Sequence, residues 1–187
     1  SFKSGTEIVH NADRPLEPNI DKFRDFDKND LPDPKKYSLV SSVFKVATNE
    51  MGFFSVMATR GCPSSCVFCS LRADKVRRRS VDSVIKEIEE KIEITGERNV
   101  LFRDPSLTIS KKFVTELCER ILEKKLNIKW VCYSRVDMDI ELLKLMKKAG
   151  LIGVEVALES GSPRVLKTIK KRISLEQFEM FCKAAYS

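Results

Sequence analysis

The sequence contains a single histidine in 187 residues and no long apolar run. Its apolar stretches reach about eight residues, well short of the ~20 that a membrane-spanning helix requires. The segment from Ser1 to Glu7 also lacks the apolar core of a secretion signal. We therefore expect no membrane partner and a reducing, cytoplasmic location.

The charge is unbalanced, with 34 basic against 27 acidic residues and a net charge of +7. Such an excess can indicate a nucleic-acid partner. The lysines, however, are spread along the faces of predicted helices. The one dense basic run, Lys75 to Arg79, has no aromatic residues interleaved with it, as single-strand binding would favour. A nucleic-acid partner is possible on this evidence but is not favoured.

Residues 1–50 differ from the rest of the chain in composition. They hold four of the seven prolines and show no sustained amphipathic period. We interpret them as an irregular connector, which Phe23 and Phe26 could anchor to a neighbouring surface. Residues 51–187 then form the core, which is long enough to bury a substantial apolar interior.

Four strand–helix pairs are predicted after Gly52. Ser80 is a suitable N-cap for the first helix and Gly96 a suitable end, and the pair Ser162-Pro163 predicts the start of another helix. The alternation predicts an α/β fold with a parallel sheet. No Gly-x-Gly-x-x-Gly follows the first strand, which argues against a dinucleotide-binding fold. The predicted strands are Gly52–Thr59, Val100–Phe102, Trp130–Arg135 and Leu151–Glu159, with a further helix around Phe178–Ala185.

Polar residues fall near the carboxyl ends of these strands, where sites of parallel sheets gather. Alternation along the fourth strand places Glu155 and Glu159 on the face opposite Val154 and Val156. The same alternation places Val100, Phe102 and Asp104 of the second strand on the face that carries Glu155 and Glu159. The predicted inward polar set is Asp104, Tyr133, Arg135, Glu155 and Glu159. Purely structural ion pairs of Arg135 with these acids are the alternative interpretation.

Cys62, Cys66 and Cys69 form a C-x3-C-x2-C run, with Phe68 before the last cysteine. Iron–sulfur clusters are usually held by four cysteines, so three thiolates leave one iron open to another ligand. A structural zinc site needs a fourth Cys or His, and His10 is distant in sequence. A disulfide framework suits small secreted proteins better. Cys118, Cys132 and Cys182 are expected to behave as small hydrophobic residues.

This motif resembles the signature of the radical S-adenosylmethionine (SAM) superfamily. Over roughly residues 50–175 the likeness extends to the cobalamin-associated branch of that family. It rests on several further segments: Thr59–Pro63, Arg77–Ser80, Phe102–Asp104, Ser134–Asp137, Glu141–Gly150, Leu158–Ser162 and the linker-like Asp25–Pro32. The resemblance implies a (β/α) barrel of which this chain carries about four units, with the family's remaining strands and any cobalamin-binding domain outside it.

The resemblance also implies roles. Cys62, Cys66 and Cys69 would bind a 4Fe–4S cluster, whose open iron would take the amino and carboxylate groups of SAM. The remaining expected SAM contacts are Phe68 near the adenine, Asp104 at the amine, Arg135 at the carboxylate, and Glu159 and Ser160 around the ribose and sulfonium. The family usually has a second acid after Asp104, where this chain has Pro105.

The implied function is reductive cleavage of SAM to a 5′-deoxyadenosyl radical, used for methylation or rearrangement of a small molecule. A flavodoxin or ferredoxin would supply the electron. One alternative is a methylthiotransferase acting on RNA or protein. The other is a metal-binding module without catalytic activity.

Overall fold

The computed structural model describes residues 1–23, 52–72 and 75–186. The linker-like segment Asp25–Pro32, including Phe26, lies outside the described residues. Where the structure is described, the predicted α/β class is confirmed: four parallel strands alternate with helices, as in part of a barrel.

The central sheet has four parallel strands in the order in which they occur along the chain. They are β3 (Phe54–Val56), β6 (Asn99–Phe102), β7 (Lys129–Tyr133) and β8 (Leu151–Glu155). The register pairs Leu101 with Val131 and Phe102 with Cys132. Because all three pairings of this sheet are parallel, the carboxyl ends of its strands reach the same edge.

Helices connect these strands and begin at side-chain caps. The first helix, α1 (Val81–Thr95), starts where the Ser80 hydroxyl accepts the N–H of Ser83. Asp139 likewise caps the third helix by accepting the N–H of Glu141. The Ser80 cap was predicted. The other helices are α2 (Lys111–Glu123), α3 (Ile140–Lys148), α4 (Pro163–Thr168) and α5 (Leu175–Tyr186).

The main core lies between the sheet and these helices. Val100 and Phe102 of β6 pack into it together with Trp130 and Cys132 of β7. The opposite face of the sheet carries a smaller apolar cluster of Phe53, Leu101, Val131 and Tyr133. Alternation was predicted to place Tyr133 of β7 and Phe102 of β6 on the same inward face. This prediction is right for Tyr133 and wrong for Phe102, which packs into the main core. An unbroken apolar run such as Val-Leu-Phe contains no alternation from which a phase could be read.

The fourth strand is shorter than predicted, ending at Glu155 instead of Glu159. Glu159 has φ +70°, which no extended strand can contain. At the start of β8, Gly150 has φ +99°, and a Cβ there would lie 2.1 Å from the carbonyl oxygen of Ile128. The sheet thus requires glycine at this turn.

Two short antiparallel pairs flank the sheet. Near the N-terminus, β1 (Phe2–Ser4) pairs with β2 (Glu7–Val9), within the segment predicted as irregular. The second pair joins β4 (Thr59–Arg60) to β5 (Arg77–Arg78). Among the described residues, no helix is long and apolar enough to cross a lipid bilayer.

Candidate functional site

The cysteine run lies on a loop that leaves the sheet after β3 and is closed at its base by the β4–β5 pair. Thr59 is paired with Arg78, and Arg60 with Arg77. Gly61, with φ +92°, turns the chain into the loop. Inside it, the N–H of Cys62 donates to the carbonyl of Leu71 at 3.0 Å, and the N–H of Cys69 donates to the carbonyl of Cys66 at 3.2 Å. These contacts anchor both ends of the motif.

All three cysteines of the loop are free thiols and half-buried. In the part of the chain that the structure describes, no three His, Cys, Asp or Glu side chains stand close enough together to hold a metal ion. The residues nevertheless fit an iron–sulfur cluster by the chemistry of the donor set, because three unpaired thiols share one short loop.

The remaining cysteines have a different character. Cys118 and Cys132 are completely buried, as predicted for small hydrophobic residues. Burial raises the pKa of the Cys118 thiol to about 12, assisted by the nearby Glu119 carboxylate. Burial likewise raises the pKa of Cys132, with a smaller contribution from Asp104. Neither thiol is a ready thiolate ligand. Cys182 is half-buried on α5.

Asp104 follows β6 and is fully buried. Its carboxylate accepts the N–H of Ala58 at 3.1 Å, the N–H of Thr59 at 2.5 Å and the Thr59 hydroxyl at 2.6 Å. Burial raises the pKa of Asp104, while the hydrogen bonds from Thr59 and Ala58 oppose that rise. The carboxylate thus fastens the carboxyl end of β6 to the residues that lead into the cysteine loop.

Arg135, after β7, also contacts the cysteine loop. Its guanidinium donates to the Ser64 hydroxyl at 3.4 Å and to Asp137 at 3.1 Å. The same group donates to the backbone carbonyls of Lys171 at 3.0 Å and Arg172 at 3.2 Å. Among the described residues, the ion pair of Arg135 is with Asp137 and not with Asp104, Glu155 or Glu159. The side chain instead joins three loops at one edge of the sheet.

The acids of the fourth strand separate in the structure. Glu155 is half-buried, and its Oε2 has no hydrogen-bond partner among the described residues. Glu159 lies beyond the strand and forms an ion pair with Lys171 at 2.8 Å. The predicted common face for the two acids is wrong, because the strand ends between them. The Ser160 hydroxyl accepts the N–H of Ser162 at 3.1 Å, just before α4.

Phe68 is 55% exposed, beside the similarly exposed Val67 and Leu71. The N–H of Val67 donates to the carbonyl of Ile169 at 3.1 Å, which places this part of the loop against the end of α4. An exposed aromatic side chain next to the third cysteine is available to pack on a flat ligand.

The N-terminal arm, the described segment Glu17–Phe23, docks onto the residues around the β4–β5 pair. Ile20 is buried, and the Asp21 carboxylate accepts the N–H of Ser80 at 3.0 Å. Arg77 donates to the carbonyl of Glu17 at 3.1 Å, and the Arg60 guanidinium lies 5.3 Å from the centre of the Phe23 ring. Anchoring through Phe23 was predicted. Its partner, the β4–β5 pair, was not, because two-residue strands carry no periodic signal.

The comparison with protein families agrees with this geometry. Residues 56–187 match the model described as the Radical SAM superfamily. The chain belongs to the radical SAM superfamily. Binding of a 4Fe–4S cluster and SAM is characteristic of this family, so the predicted identification and cofactor class are confirmed at the level of the family.

The curated relatives of this chain include proteins named as methyltransferases and cyclases. The chain is 33% identical over 181 residues to an uncharacterized methyltransferase of Pyrococcus horikoshii, covering 95% of this chain and 37% of the relative. It is 30% identical over 188 residues to an anaerobic magnesium-protoporphyrin IX monomethyl ester cyclase of Cereibacter sphaeroides, covering 95% of this chain and 29% of that protein. The chain therefore spans about a third of the length of these relatives.

A solved structure supports the fold. The radical SAM methyltransferase TsrM of Kitasatospora setae, solved with cobalamin and a [4Fe-4S] cluster, superimposes with a TM-score of 0.63 at 19% identity. The match covers 72% of this chain and 27% of that one. At this identity the likeness concerns the fold, and it matches the partial barrel seen here.

Proposed function

We propose that this chain is the SAM-cleaving core of a cobalamin-associated radical SAM enzyme that methylates or cyclises a small molecule. The observation that carries the proposal is the loop with three free cysteines, closed at its base by the β4–β5 pair at the carboxyl edge of a parallel sheet. Residues 51–187 would form this core and residues 1–50 a connector, and the family match from residue 56 supports that boundary.

Cys62, Cys66 and Cys69 would hold the cluster, leaving one iron for SAM. A bound cluster supplies an electron to SAM and so initiates radical chemistry, while the protein orients the reactants and excludes water. Exposure of Phe68 beside Cys69 supports its role as a platform for the adenine. Ser160 and Glu159 lie at the end of the fourth strand, and we propose that they contact the ribose side of SAM.

Asp104 and Arg135 also hold the cysteine loop in position, in addition to the contacts with SAM that we propose for them. Each is hydrogen-bonded to residues of, or next to, the cysteine loop: Asp104 to Thr59, and Arg135 to Ser64. Proposed contacts of Asp104 with the amine and of Arg135 with the carboxylate of SAM would therefore couple ligand binding to the position of the loop.

The wider assignment follows the relatives. Methylation or cyclisation is proposed because the curated relatives carry those names. Cobalamin, bound by a domain outside this chain, is proposed because the methyltransferase TsrM binds it. We further propose a flavodoxin or ferredoxin as electron donor and a cytoplasmic location, since free cysteines persist in reducing compartments.

A pair of matched cysteine variants tests the proposal. After anaerobic reconstitution with iron and sulfide, we expect about four irons per chain by metal analysis, because a 4Fe–4S cluster holds four. Cys66→Ser should abolish most of this iron, whereas Cys182→Ser should retain it. Equal iron in the two variants would contradict the assignment. One equivalent of zinc in the purified protein, without iron uptake, would instead favour the metal-binding module.

A further inference from the structure

The segment that carries the cysteine loop is strongly basic. Between Thr59 and Arg79, the acid Asp74 is outnumbered by Arg60, Arg72, Lys75, Arg77, Arg78 and Arg79. Asp74 lies outside the described residues. This excess of positive charge is concentrated around the loop and is not shared by the chain as a whole.

Two of these cations have partners inside the structure. Arg79 forms ion pairs with Glu87 and, at 3.8 Å, with Asp21. Arg77 is half-buried and donates to the carbonyl of Glu17 at 3.1 Å. The Glu17 carboxylate itself is paired with Lys22 at 3.4 Å. The acids of the N-terminal arm are therefore already occupied by other cations.

Arg60, Arg72 and Lys75 are exposed, and we call these three side chains the basic rim. None of them forms an ion pair with a residue that the structure describes. The Arg60 guanidinium lies over the ring of Phe23, a contact that leaves its charge in place. The basic rim consequently presents three positive charges to the surroundings of the protein.

The pairing of β4 with β5 adds an independent observation. Arg60 lies directly opposite Arg77 in this antiparallel pair. Like charges in such positions destabilise a sheet. The Glu17 carbonyl satisfies a hydrogen bond of Arg77 but cancels no charge. An arrangement that weakens the fold locally while concentrating charge at the surface is typical of a functional site.

The basic rim lies beside the first cysteine of the loop. Arg72 is bridged to Cys62 through the backbone, and the carbonyl of Leu71 accepts the N–H of Cys62 at 3.0 Å. The Leu71 side chain is 54% exposed. An exposed apolar residue with charged residues around it matches the usual composition of an interface, with an apolar centre and a polar rim.

We propose that the basic rim and Leu71 form the docking surface for an acidic one-electron carrier protein. This inference rests on the proposed function, which requires that an electron reach the loop of Cys62, Cys66 and Cys69. In that step the reduced carrier loses one electron and the cluster gains it, and no bond forms or breaks. Opposite charges on the two proteins accelerate their encounter and orient them. Single-stranded nucleic acid is the competing polyanion, and the experiment distinguishes it.

The first test measures docking without a cluster. A ¹⁵N-labelled flavodoxin of net negative charge, and a ferredoxin of the same kind, are titrated with the unreconstituted protein and followed by amide chemical shifts. We expect binding that weakens as salt is added, because ions screen attraction between exposed charges. The double variant Arg72→Gln/Lys75→Gln should weaken carrier binding about fivefold, as the loss of two exposed charge pairs would.

Two control variants show whether charge at this place is responsible. Lys147→Gln/Lys148→Gln removes two exposed charges at the end of α3, at the opposite edge of the sheet, and should bind the carrier like the wild type. Arg72→Lys keeps the charge and should also bind like the wild type. All the replaced side chains are exposed, so folding should be preserved.

The second test measures electron delivery to the reconstituted protein by stopped-flow absorbance. At low salt, reduced flavodoxin should reduce the cluster about fivefold more slowly in the Arg72→Gln/Lys75→Gln variant than in the wild type. Dithionite is a small reductant that needs no docking surface, and it should reduce both proteins at the same rate.

Three results would overturn the inference. The first is the absence of salt-dependent binding of either carrier to the wild type, and the second is undiminished carrier binding by the double variant. The third is loss of single-stranded oligonucleotide binding in that variant with carrier binding retained, which would assign the basic rim to nucleic acid. Failure of the proposed function is separate, because it would appear as failure of the wild type to bind a cluster, whereas docking is measured without one.

Discussion

The carboxylate of Asp104 accepts both the backbone N–H and the hydroxyl of Thr59, across 45 positions of sequence. This relationship joins the end of the second sheet strand to the first residue of β4, directly before the cysteine loop. The loop thereby acquires a rigid base on an element that is itself packed in the core. Precise placement of a reactive group requires this kind of support from neighbouring hydrogen bonds.

Replacement of Asp104 by alanine should therefore be costly. Asp104→Ala leaves two buried N–H groups and a hydroxyl without their acceptor, and we expect the free energy of unfolding to fall by about 2–4 kcal/mol. Asp104→Asn keeps one acceptor oxygen and should cost less. Urea denaturation measures both variants. An alanine variant as stable as the wild type would show that the carboxylate does not support the loop.

The same carboxylate predicts a pH dependence with a definite sign. Burial raises the pKa of Asp104 in the folded chain above its ordinary value of 3.8. Its contribution to stability is therefore fully present below that value and is lost as pH rises through the raised pKa. The stability of the wild type minus that of Asp104→Asn should decrease as pH rises from 3.8 toward neutrality. A difference that stays flat or increases would contradict the raised pKa.

The N-terminal arm should stabilise the base of the cysteine loop. The Asp21 carboxylate accepts the N–H of Ser80 at the start of α1, where a negative charge is favourable. We expect Asp21→Ala to lower stability by about 1 kcal/mol and to increase amide exchange in β4, β5 and the cysteine loop. Asp13→Ala, upstream of the arm, is the matched control. Equal exchange in the two variants would mean that the arm rests on the core without supporting it.

Lysine should not replace arginine at position 135 without a loss of stability, although both side chains carry one positive charge. The guanidinium donates to Ser64, Asp137 and two carbonyls of the loop after α4, a set that a single ammonium cannot reproduce. Arg135→Lys should lower stability by about 1–2 kcal/mol and increase amide exchange over residues 169–174. Retention of the wild-type exchange pattern would show that charge alone suffices at this position.

Gly150 provides a test of the fold itself. Gly150→Ala would place a Cβ 2.1 Å from the carbonyl oxygen of Ile128, at a backbone φ of +99°. We expect a loss of at least about 2 kcal/mol, measured by thermal unfolding. Gly161→Ala is the control, since a Cβ there meets nothing within 4 Å. Similar unfolding temperatures for both variants would contradict the described turn.

Local signals predicted much of this architecture. The Ser80 cap and Gly96 defined both ends of α1, because helix caps are encoded in neighbouring positions. The phase of β6 was not predictable, since Val100, Leu101 and Phe102 are all apolar and pairing with β7 decides which face each occupies. The C-terminal end of β8 was not predictable either. The positive φ of Glu159 does not alter the alternation of apolar and polar residues from which the strand was predicted.

The sequence predicted the three cysteines of the candidate site, but not the contacts of the other site residues. The spacing of Cys62, Cys66 and Cys69 is a local pattern, and the family comparison agrees with it. The partners of Asp104 and Arg135 were not foreseen. Their contacts to Thr59 and Ser64 join segments 45 and 71 positions apart, and tertiary packing alone brings them together.

The central claim is that three thiolates hold a cluster with one iron open to SAM. Electron paramagnetic resonance of the anaerobically reconstituted, reduced protein, recorded with and without SAM, tests it most directly. The account predicts a 4Fe–4S signal that changes when SAM is added, because the cofactor becomes a ligand of the open iron. A reconstituted cluster whose signal is indifferent to SAM would contradict it.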